Sequence, residues 1–293
     1  TNGTMLILNG CEYTGPDISA ALWTATELVT LKITNAASMT SFPVEVGQLT
    51  SLTYLDVSWN SLTSLPAEIG NLTSLDKLYA QYNDLTSLPV EIGQLTSLTE
   101  LRVYENALTN IPVEIFQLTG LTRLHVNGNS ITSLPTEIGQ LTSLTQLYAH
   151  VNQLTSLPAE IGNLTSLTDL RVSWNSLTSL PAEIGQVTGL IQLEAAGTEL
   201  TGSLPAWIGQ LTSLTYLDLH TNALTSIPAE IGNLTSLETL YVYTNALASL
   251  PAEIGQLTSL LRLSGYNNQL TSLPAEIGQL TSLTELSVYT NLL

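Results

Sequence analysis

A 23-residue unit repeats through almost the whole of this 293-residue chain. Its proline marks the period, because successive prolines are 23 residues apart except for one interval of 24. The repeated prolines are Pro43, Pro66, Pro89, Pro112, Pro135, Pro158, Pro181, Pro205, Pro228, Pro251 and Pro274. A unit this short cannot bury its own apolar face, so the repeat predicts a stack of coils that build one core together.

Each unit combines the pattern LxxLxVxxNxL with xxLPxEIGxL. In one unit, the spacing of Leu52, Leu55, Val57 and Leu62 suits a strand and a turn whose apolar side chains point inward. The asparagine after the strand is expected to hydrogen-bond to the backbone of neighbouring coils, because buried amides need partners. These asparagines are Asn60, Asn83, Asn106, Asn129, Asn152, Asn175, Asn222, Asn245, Asn268 and Asn291.

These motifs resemble the repeats of the leucine-rich-repeat family over nearly the whole chain. The resemblance implies an α/β solenoid, a horseshoe with a concave parallel β-sheet and short helical or 3-10 turns on the convex side. The segment PAEIGQ suits such a turn, because proline fits the first helical position and the following glutamate lies near the positive end. Ten of the 24 acidic residues occupy this position, from Glu45 to Glu276, with Trp207 replacing it once. We therefore interpret the strong acidity as a stripe of solvent-exposed glutamates on the convex side.

The two ends of the chain differ from the middle. Residues 1–27 are predicted to form a degenerate capping repeat, followed by a repeat array over residues 28–293. In the capping repeat, Leu6 and Leu8 fall at the inward strand positions and Cys11 at the asparagine position. We interpret Cys11 as a buried core residue, because cysteine is a familiar substitute at this position in the family that the chain resembles.

Two other places depart from the regular repeat. Thr198 interrupts the series of asparagines in the 24-residue unit, where Gly202 is inserted, so a local irregularity is expected there. The sequence stops at Leu293, just after a strand and its asparagine, without a polar capping segment. We expect that the native chain continues beyond this end or that the end contacts a partner, a second copy included.

The formal net charge of −18 opposes binding to nucleic acid or anionic lipid, which both require basic surface. No apolar run is long enough for membrane insertion. The single cysteine, Cys11, excludes an internal disulfide framework and slightly favours a reducing, cytoplasmic compartment. A secreted or cell-surface location stays open because sequons occur at Asn2, Asn71, Asn163 and Asn233.

Four positions vary among units that are otherwise nearly constant: one on each side of the second strand leucine, and two before the asparagine. Strand alternation points the first three outward and places the fourth at the sheet edge. We call these positions together the strand face, which the resemblance places on the concave side. The candidate ligand-binding residues on it are Tyr54, Asp56, Trp59, Lys77, Tyr79, Tyr82, Arg102, Tyr104, Arg123, His125, Tyr148, His150, Arg171, Trp174, Tyr216, His220, Tyr241, Tyr243, Arg262, Tyr266 and Tyr289.

The composition of the strand face favours binding. It holds ten of the eleven tyrosines, all three histidines and all six basic residues, Lys32 included, while seven acids leave it nearly neutral. The β-propensity of tyrosine is an alternative explanation for the rings, but it does not explain why every Lys, Arg and His is confined to this face. Rigid amphipathic rings and arginines are typical of binding surfaces. The pattern therefore favours a protein ligand, with a glycan as the alternative.

Equivalent positions of successive units should lie about 4.8 Å apart, so neighbouring side chains form patches. The first expected patch is an aromatic ladder of Tyr243, Tyr266 and Tyr289, close to Tyr216 and Tyr241. The second expected patch is a row of Arg102, His125, Tyr148 and Arg171. In that row, a surface ion pair of small energy is expected between Arg171 and Glu194.

The sequence does not indicate catalysis. It contains no nucleophile elbow, P-loop or paired-cysteine motif, and no cofactor is expected. His125, His150 and His220 lie in different coils, and we expect them to occupy different positions of their repeat units. A metal ion shared by these histidines is therefore not expected. Glu100 and Glu105 are expected on an open face, without a cleft that would raise a carboxyl pKa.

The leading hypothesis is a non-catalytic recognition module of receptor or immune type that binds its ligand on the strand face. The second is a structural or scaffold solenoid, or a surface-layer or adhesion protein, with a fixed partner. Variation of the strand face would then be drift among recent duplicates. A third is regulation of an enzyme domain outside this segment. Membership of a repeat family does not choose among these hypotheses.

Overall fold

The computed structural model describes residues 4–10 and 20–293. These residues form two compact units, and the division between the units falls between residues 146 and 147. Both units consist of parallel strands that alternate with 3-10 turns, as predicted. The first unit contains β1 (Thr4–Asn9), α1 (Ala20–Trp23), β2 (Leu28–Thr34), β3 (Tyr54–Asp56), β4 (Lys77–Tyr79), β5 (Glu100–Arg102) and β6 (Arg123–His125). Its 3-10 turns are Val44–Gln48, Ala67–Asn71, Val90–Gln94, Val113–Gln117 and Thr136–Gln140.

The boundary between the units falls within β7 (Gln146–Tyr148). The second unit continues with β8 (Asp169–Arg171), β9 (Gln192–Glu194), β10 (Thr201–Ser203), β11 (Tyr216–Asp218), β12 (Ala223–Ser226), β13 (Thr239–Tyr241), β14 (Arg262–Ser264) and β15 (Glu285–Ser287). Its 3-10 turns are Ala159–Asn163, Ala182–Gln186, Ala206–Gln210, Ala229–Asn233, Ala252–Gln256 and Ala275–Gln279. We call the surface that these turns form in each unit the turn side.

The strands pair in register, so that each leucine lies beside the leucine of the next coil. Leu55 of β3 is aligned with Leu78 of β4, which is aligned with Leu101 of β5. These leucines and Val57 are completely buried, as is Ile69 of the following turn. Burying one such side chain contributes roughly 1.5–3 kcal/mol, and the burial is provided mainly by the neighbouring coils.

The first strand follows the predicted register. Leu6 and Leu8 of β1 are aligned with Leu31 and Ile33 of β2, the inward positions of the next coil. Cys11 and the sequon residue Asn2 lie outside the described residues, so the capping repeat over residues 1–27 stays a prediction. No helix in the described parts of the chain is long and apolar enough to cross a membrane.

The asparagine ladder is present as expected. Nδ2 of Asn83 donates hydrogen bonds to the carbonyl oxygens of Val57 (2.9 Å) and Ala80 (3.1 Å), and its Oδ1 accepts the backbone N–H of Leu62 at 3.0 Å. One amide therefore joins its own coil to two backbone groups of the preceding coil. The same pattern recurs in other coils, for example at Asn245.

The 24-residue unit contains the expected irregularity. Thr198 takes the place of the asparagine, and its hydroxyl lies 2.7 Å from Oδ1 of Asn222 and 3.2 Å from the carbonyl oxygen of Ala195. Gly202 has a left-handed φ of 72°. The extra residue lets β10 pair with β12 in a separate two-stranded parallel sheet.

One prediction about the turns was wrong. The repeated proline is not the first helical residue but the residue before it, since Pro89 has an extended backbone with φ −67° and ψ 144°. The ring of proline fixes φ near this value, which suits the extended entry into the turn equally well. Each turn therefore begins one residue later than predicted, and Glu91 is its second residue.

The ladder predicts the effect of removing one amide. We expect Asn83→Ala to lower the free energy of unfolding by about 3 kcal/mol, because it leaves the Leu62 N–H and the Val57 carbonyl buried without this partner. Urea unfolding measures the loss, and hydrogen exchange should show faster exchange at Leu62. The neighbouring Asp84 is exposed, so Asp84→Ala should change stability by no more than about 0.5 kcal/mol. Equal effects of the two changes would contradict the structural role of the ladder.

Close packing of successive turns predicts a second effect. A Cβ atom on Gly93 would lie 2.6 Å from Cβ and 2.8 Å from the carbonyl oxygen of Glu114 in the next turn. We therefore expect Gly93→Ala to destabilise the protein by about 1–3 kcal/mol in thermal or urea unfolding. A Cβ atom on Gly120 would meet nothing within 4 Å, so Gly120→Ala is the matched control and should be nearly neutral. A neutral Gly93→Ala would mean that the turns are not in close contact.

Candidate ligand-binding face

The strand residues alternate between core and surface as predicted. Leu55 is completely buried, whereas Tyr54 and Asp56 on either side of it are partly exposed. The lateral registers are also as predicted within each unit, with Arg102 beside His125, for example. The candidate residues therefore form continuous rows across neighbouring strands.

The fourth variable position has a backbone conformation that we did not predict. Its residue has a left-handed φ in every described coil: φ is 58° at Trp59, 55° at Tyr82 and 54° at Val151 and Thr221. This backbone conformation is sterically unfavourable for residues other than glycine and asparagine, and most of all for residues with β-branched side chains. The glycine at position 128 is the sequence signal that could have revealed it.

An aromatic group covers β3 to β5 of the first unit. Trp59 stacks on Tyr82 with ring centroids 3.7 Å apart, and Tyr82 meets the edge of Tyr104 at 5.3 Å. Tyr54 and Tyr79 form a second edge-to-face pair at 5.1 Å. Trp59 stays about half exposed, at 52%. The rings therefore form a preorganised surface instead of separate side chains.

A buried carboxylate organises the arginines of the first unit. Glu100 is only 1% exposed, and its Oε1 accepts a hydrogen bond from Nε of Arg102 at 2.6 Å. Its Oε2 lies 3.2 Å from Nη1 of Arg123, and the guanidinium of Arg102 lies over the ring of Tyr79 at 4.4 Å. Our expectation that Glu100 lies on an open face was therefore wrong. The long side chains of the neighbouring strands close over it.

The surroundings of Glu100 favour its charged form. Burial alone would raise its pKa, but the hydrogen bonds and charge of Arg102, with help from Tyr79 and Arg123, hold the pKa below its usual value. Burial and then the charge of Arg102 lower the pKa of His125 to about 4, so this histidine is neutral at pH 7. His125 is 8% exposed and offers little surface to a ligand.

The second unit has the opposite arrangement of charges. Arg171 lies between two carboxylates, 3.1 Å from Asp169 and 3.5 Å from Glu194, so the expected pair with Glu194 is present. The hydroxyl of Tyr148 donates to Asp169 at 2.6 Å, and the guanidinium of Arg171 lies over the Tyr148 ring at 4.4 Å. Burial and then this hydrogen bond raise the pKa of Tyr148 to about 12.

The predicted aromatic ladder is present and is one ring longer than expected. Tyr243, Tyr266 and Tyr289 stack with centroids 4.4 and 4.5 Å apart and interplanar angles of 10° and 6°. His220 extends the stack, 4.3 Å from Tyr243 and tilted by 12°. Its Nδ1 lies 2.6 Å from Oδ1 of Asp218, which orients the imidazole. We call these four rings the aromatic ladder.

The flanks of the aromatic ladder also carry candidate residues. Tyr216 and Tyr241 meet edge to face at 5.8 Å, and Tyr241 lies 6.1 Å from Tyr243. Arg262 pairs with Glu285 at 3.6 Å on an exposed part of the face.

Trp174 lies beyond the other end of the ladder, 6.1 Å from His220 and 52% exposed. Its indole lies against Gly197, where any side chain would collide with the ring. Glycine therefore makes room for the indole in the 24-residue unit.

The histidines do not form a metal site among the described residues. Their register differs from our prediction in one respect, because His150 and His220 occupy the same position of their coils. Three strand spacings separate them, roughly 14 Å, which is too far for a shared ion. Burial and then the charge of Arg171 lower the pKa of His150.

Comparison with known proteins identifies the repeat. The family model described as a leucine-rich repeat region matches residues 4–107, 80–153 and 206–291. No curated protein sequence gives a significant match.

Several solved structures are similar to this chain. A leucine-rich-repeat protein of Leptospira interrogans is 37% identical with a TM-score of 0.82, over 98% of this chain and 78% of that one. An internalin of Listeria monocytogenes is 26% identical with a TM-score of 0.86, over 98% and 81%. The Arabidopsis receptor kinase HAESA, in complex with the peptide hormone IDA and the co-receptor SERK1, is 26% identical with a TM-score of 0.78, over 96% and 48%. Together with the repeat and its asparagine ladder, these matches show that the chain belongs to the leucine-rich-repeat family.

Proposed function

We propose that this chain is a non-catalytic recognition module that binds a protein ligand on its strand face. The observation that carries the proposal is the arrangement of the variable side chains. They form ordered arrays, such as the aromatic ladder, on a face where the rest of each coil hardly changes. Preorganised rings lose little conformational entropy on binding, which makes them effective contact residues.

The left-handed fourth position supports the proposal. Glycine relieves the backbone strain at this position in two coils, at Gly128 and Gly197, yet other coils place Trp59, Tyr82 or Val151 there. Each such residue costs about 1–2 kcal/mol relative to a relaxed backbone. Strain that is retained at many equivalent positions is typical of side chains with a role outside the fold.

The similar structures support a protein or peptide as the ligand. HAESA binds a peptide hormone in its complex, although this chain spans only about half of that protein. A second structure, the plant peptide hormone receptor RGFR1 in complex with RGF2, is 28% identical to this chain. By this likeness the ligand of the strand face would be a polypeptide. A glycan is the alternative, and identifying the bound partner distinguishes the two.

The aromatic ladder gives the sharpest test of this function. In a pull-down from source material, we expect the wild-type protein to capture a partner. The triple variant Tyr243→Ala, Tyr266→Ala, Tyr289→Ala should fail to capture it. Loss of one hot-spot ring typically costs about 2 kcal/mol or more, roughly 30-fold in affinity. Mass spectrometry and glycan profiling of the retained material identify the ligand, and circular dichroism checks that both proteins are folded.

The turns that precede β13, β14 and β15 provide the control. Glu230, Glu253 and Glu276 lie in these turns, and changing all three to Gln should leave partner retention unchanged. If the tyrosine variant retains the same partners as the wild type, the strand-face proposal is wrong and a scaffold role through the turn side becomes the better hypothesis. If only glycans are lost, the ligand is not a protein.

A further inference from the structure

Two arginines contact one carboxylate on the strand face of the first unit, and a lysine occupies the position beside that carboxylate on the next strand. Lys77 and Arg123 occupy the positions beside Glu100 on the two neighbouring strands, and Arg102 lies two residues from Glu100 on the same strand. Three positive charges against one negative charge leave this group with an excess of two. It stands out in a chain whose net charge is −18.

Glu100 holds the arginines without using all of their donors. It accepts hydrogen bonds from one edge of Arg102 and an ion-pair contact from Nη1 of Arg123. A guanidinium has five N–H donors in a fixed plane, so both arginines keep donors that point elsewhere. The side chains of Arg102 and Arg123 are 32% and 45% exposed, whereas that of Glu100 is 2% exposed. A buried anion therefore orients cations that an external anion can reach.

Three other acidic residues lie nearby, Asp56, Asp76 and Glu105, and among the described residues none of them forms an ion pair with these cations. Asp56 accepts hydrogen bonds from the backbone N–H and the hydroxyl of Ser58, at 3.1 and 2.6 Å. Asp76 bonds the hydroxyl of Thr99 at the strand entry. The glutamates of the turn side are screened, because the Debye length at physiological salt is only about 8 Å.

The second unit shows the reverse stoichiometry. There one cation, Arg171, is shared by the carboxylates of Asp169 and Glu194. That group has no excess positive charge. It is therefore an internal control, because an anion that binds arginine without selectivity would bind Arg171 as well.

We propose that Lys77, Arg102 and Arg123 form an anion-binding subsite that receives a carboxylate of the ligand, from an acidic side chain or a chain terminus. The planar forks of the arginines match a carboxylate, and the buried Glu100 holds them in place so that little ordering is left for binding. The choice of a polypeptide carboxylate rests on the proposed function. Phosphate and sulfate share the same chemistry, and the experiment separates them.

The chain has four arginines, so a spectrum of the protein labelled with ¹⁵N-arginine contains four Nε–H signals, assignable by substitution. We would titrate it with an acetylated and amidated triglutamate peptide at physiological salt. The signals of Arg102 and Arg123 should shift and saturate, while those of Arg171 and Arg262 should not. The corresponding triglutamine peptide should shift none of them.

Substitution provides a matched pair. Lys77→Gln should weaken triglutamate binding about two- to fivefold, as expected for an ionic contact at a partly exposed site. Lys32→Gln removes the same charge from the same face, but Lys32 lies over Tyr54 and not beside Glu100, so it should have no effect. Equal effects of both changes would mean that the peptide responds only to the overall charge of the face, and would overturn the subsite.

The remaining outcomes are also decisive. Absence of saturable shifts, or equal shifts at Arg171, would overturn the subsite. Saturation by inorganic phosphate without any response to triglutamate would overturn the carboxylate assignment in favour of a phosphate or sulfate group. Because the titration does not use the native partner, the subsite can stand even if the tyrosine variant shows that the proposed function is wrong.

Discussion

The rest of the structure depends on one contact between successive coils, the side-chain amide of the repeated asparagine. In Asn83 this amide satisfies the Leu62 N–H and the Val57 carbonyl of the preceding coil together with a carbonyl of its own coil. Strands of three residues bond laterally only along their short length, so the loops after them need another source of hydrogen bonds. The ladder supplies it and holds each coil at the register in which the leucines interlock.

This register has a consequence for the surface. Because every coil repeats the same path, a variable position comes to lie beside its equivalents and not beside unrelated residues. A single kind of side chain repeated along the sequence therefore becomes a continuous row. The aromatic ladder is such a row, and the 24-residue unit shows its limit, because Gly197 there supports an indole from the preceding coil instead of a ring of its own.

The two charged groups of the strand face show how local packing selects a charge. Glu100 is shared by two arginines, whereas Arg171 is shared by two acids. In the first group the shared Glu100 is buried and its two arginines stay partly exposed. In the second group the order is reversed, because the shared Arg171 is 29% exposed whereas Asp169 and Glu194 are 12% and 21% exposed. Only the first group therefore presents an excess of positive charge to a ligand.

The sequence was sufficient to predict the repeat fold, the buried leucines, the asparagine ladder and the rows of the strand face. These features depend only on the 23-residue period, since a fixed period brings equivalent residues together whatever their rotamers. It did not reveal the left-handed backbone at Trp59 and its equivalents, the burial of Glu100 or the place of His220 in the aromatic ladder. These three features are visible only in the folded chain, because they depend on contacts between different positions of neighbouring coils. Side-chain length and direction govern such contacts, and periodicity contains no information about either.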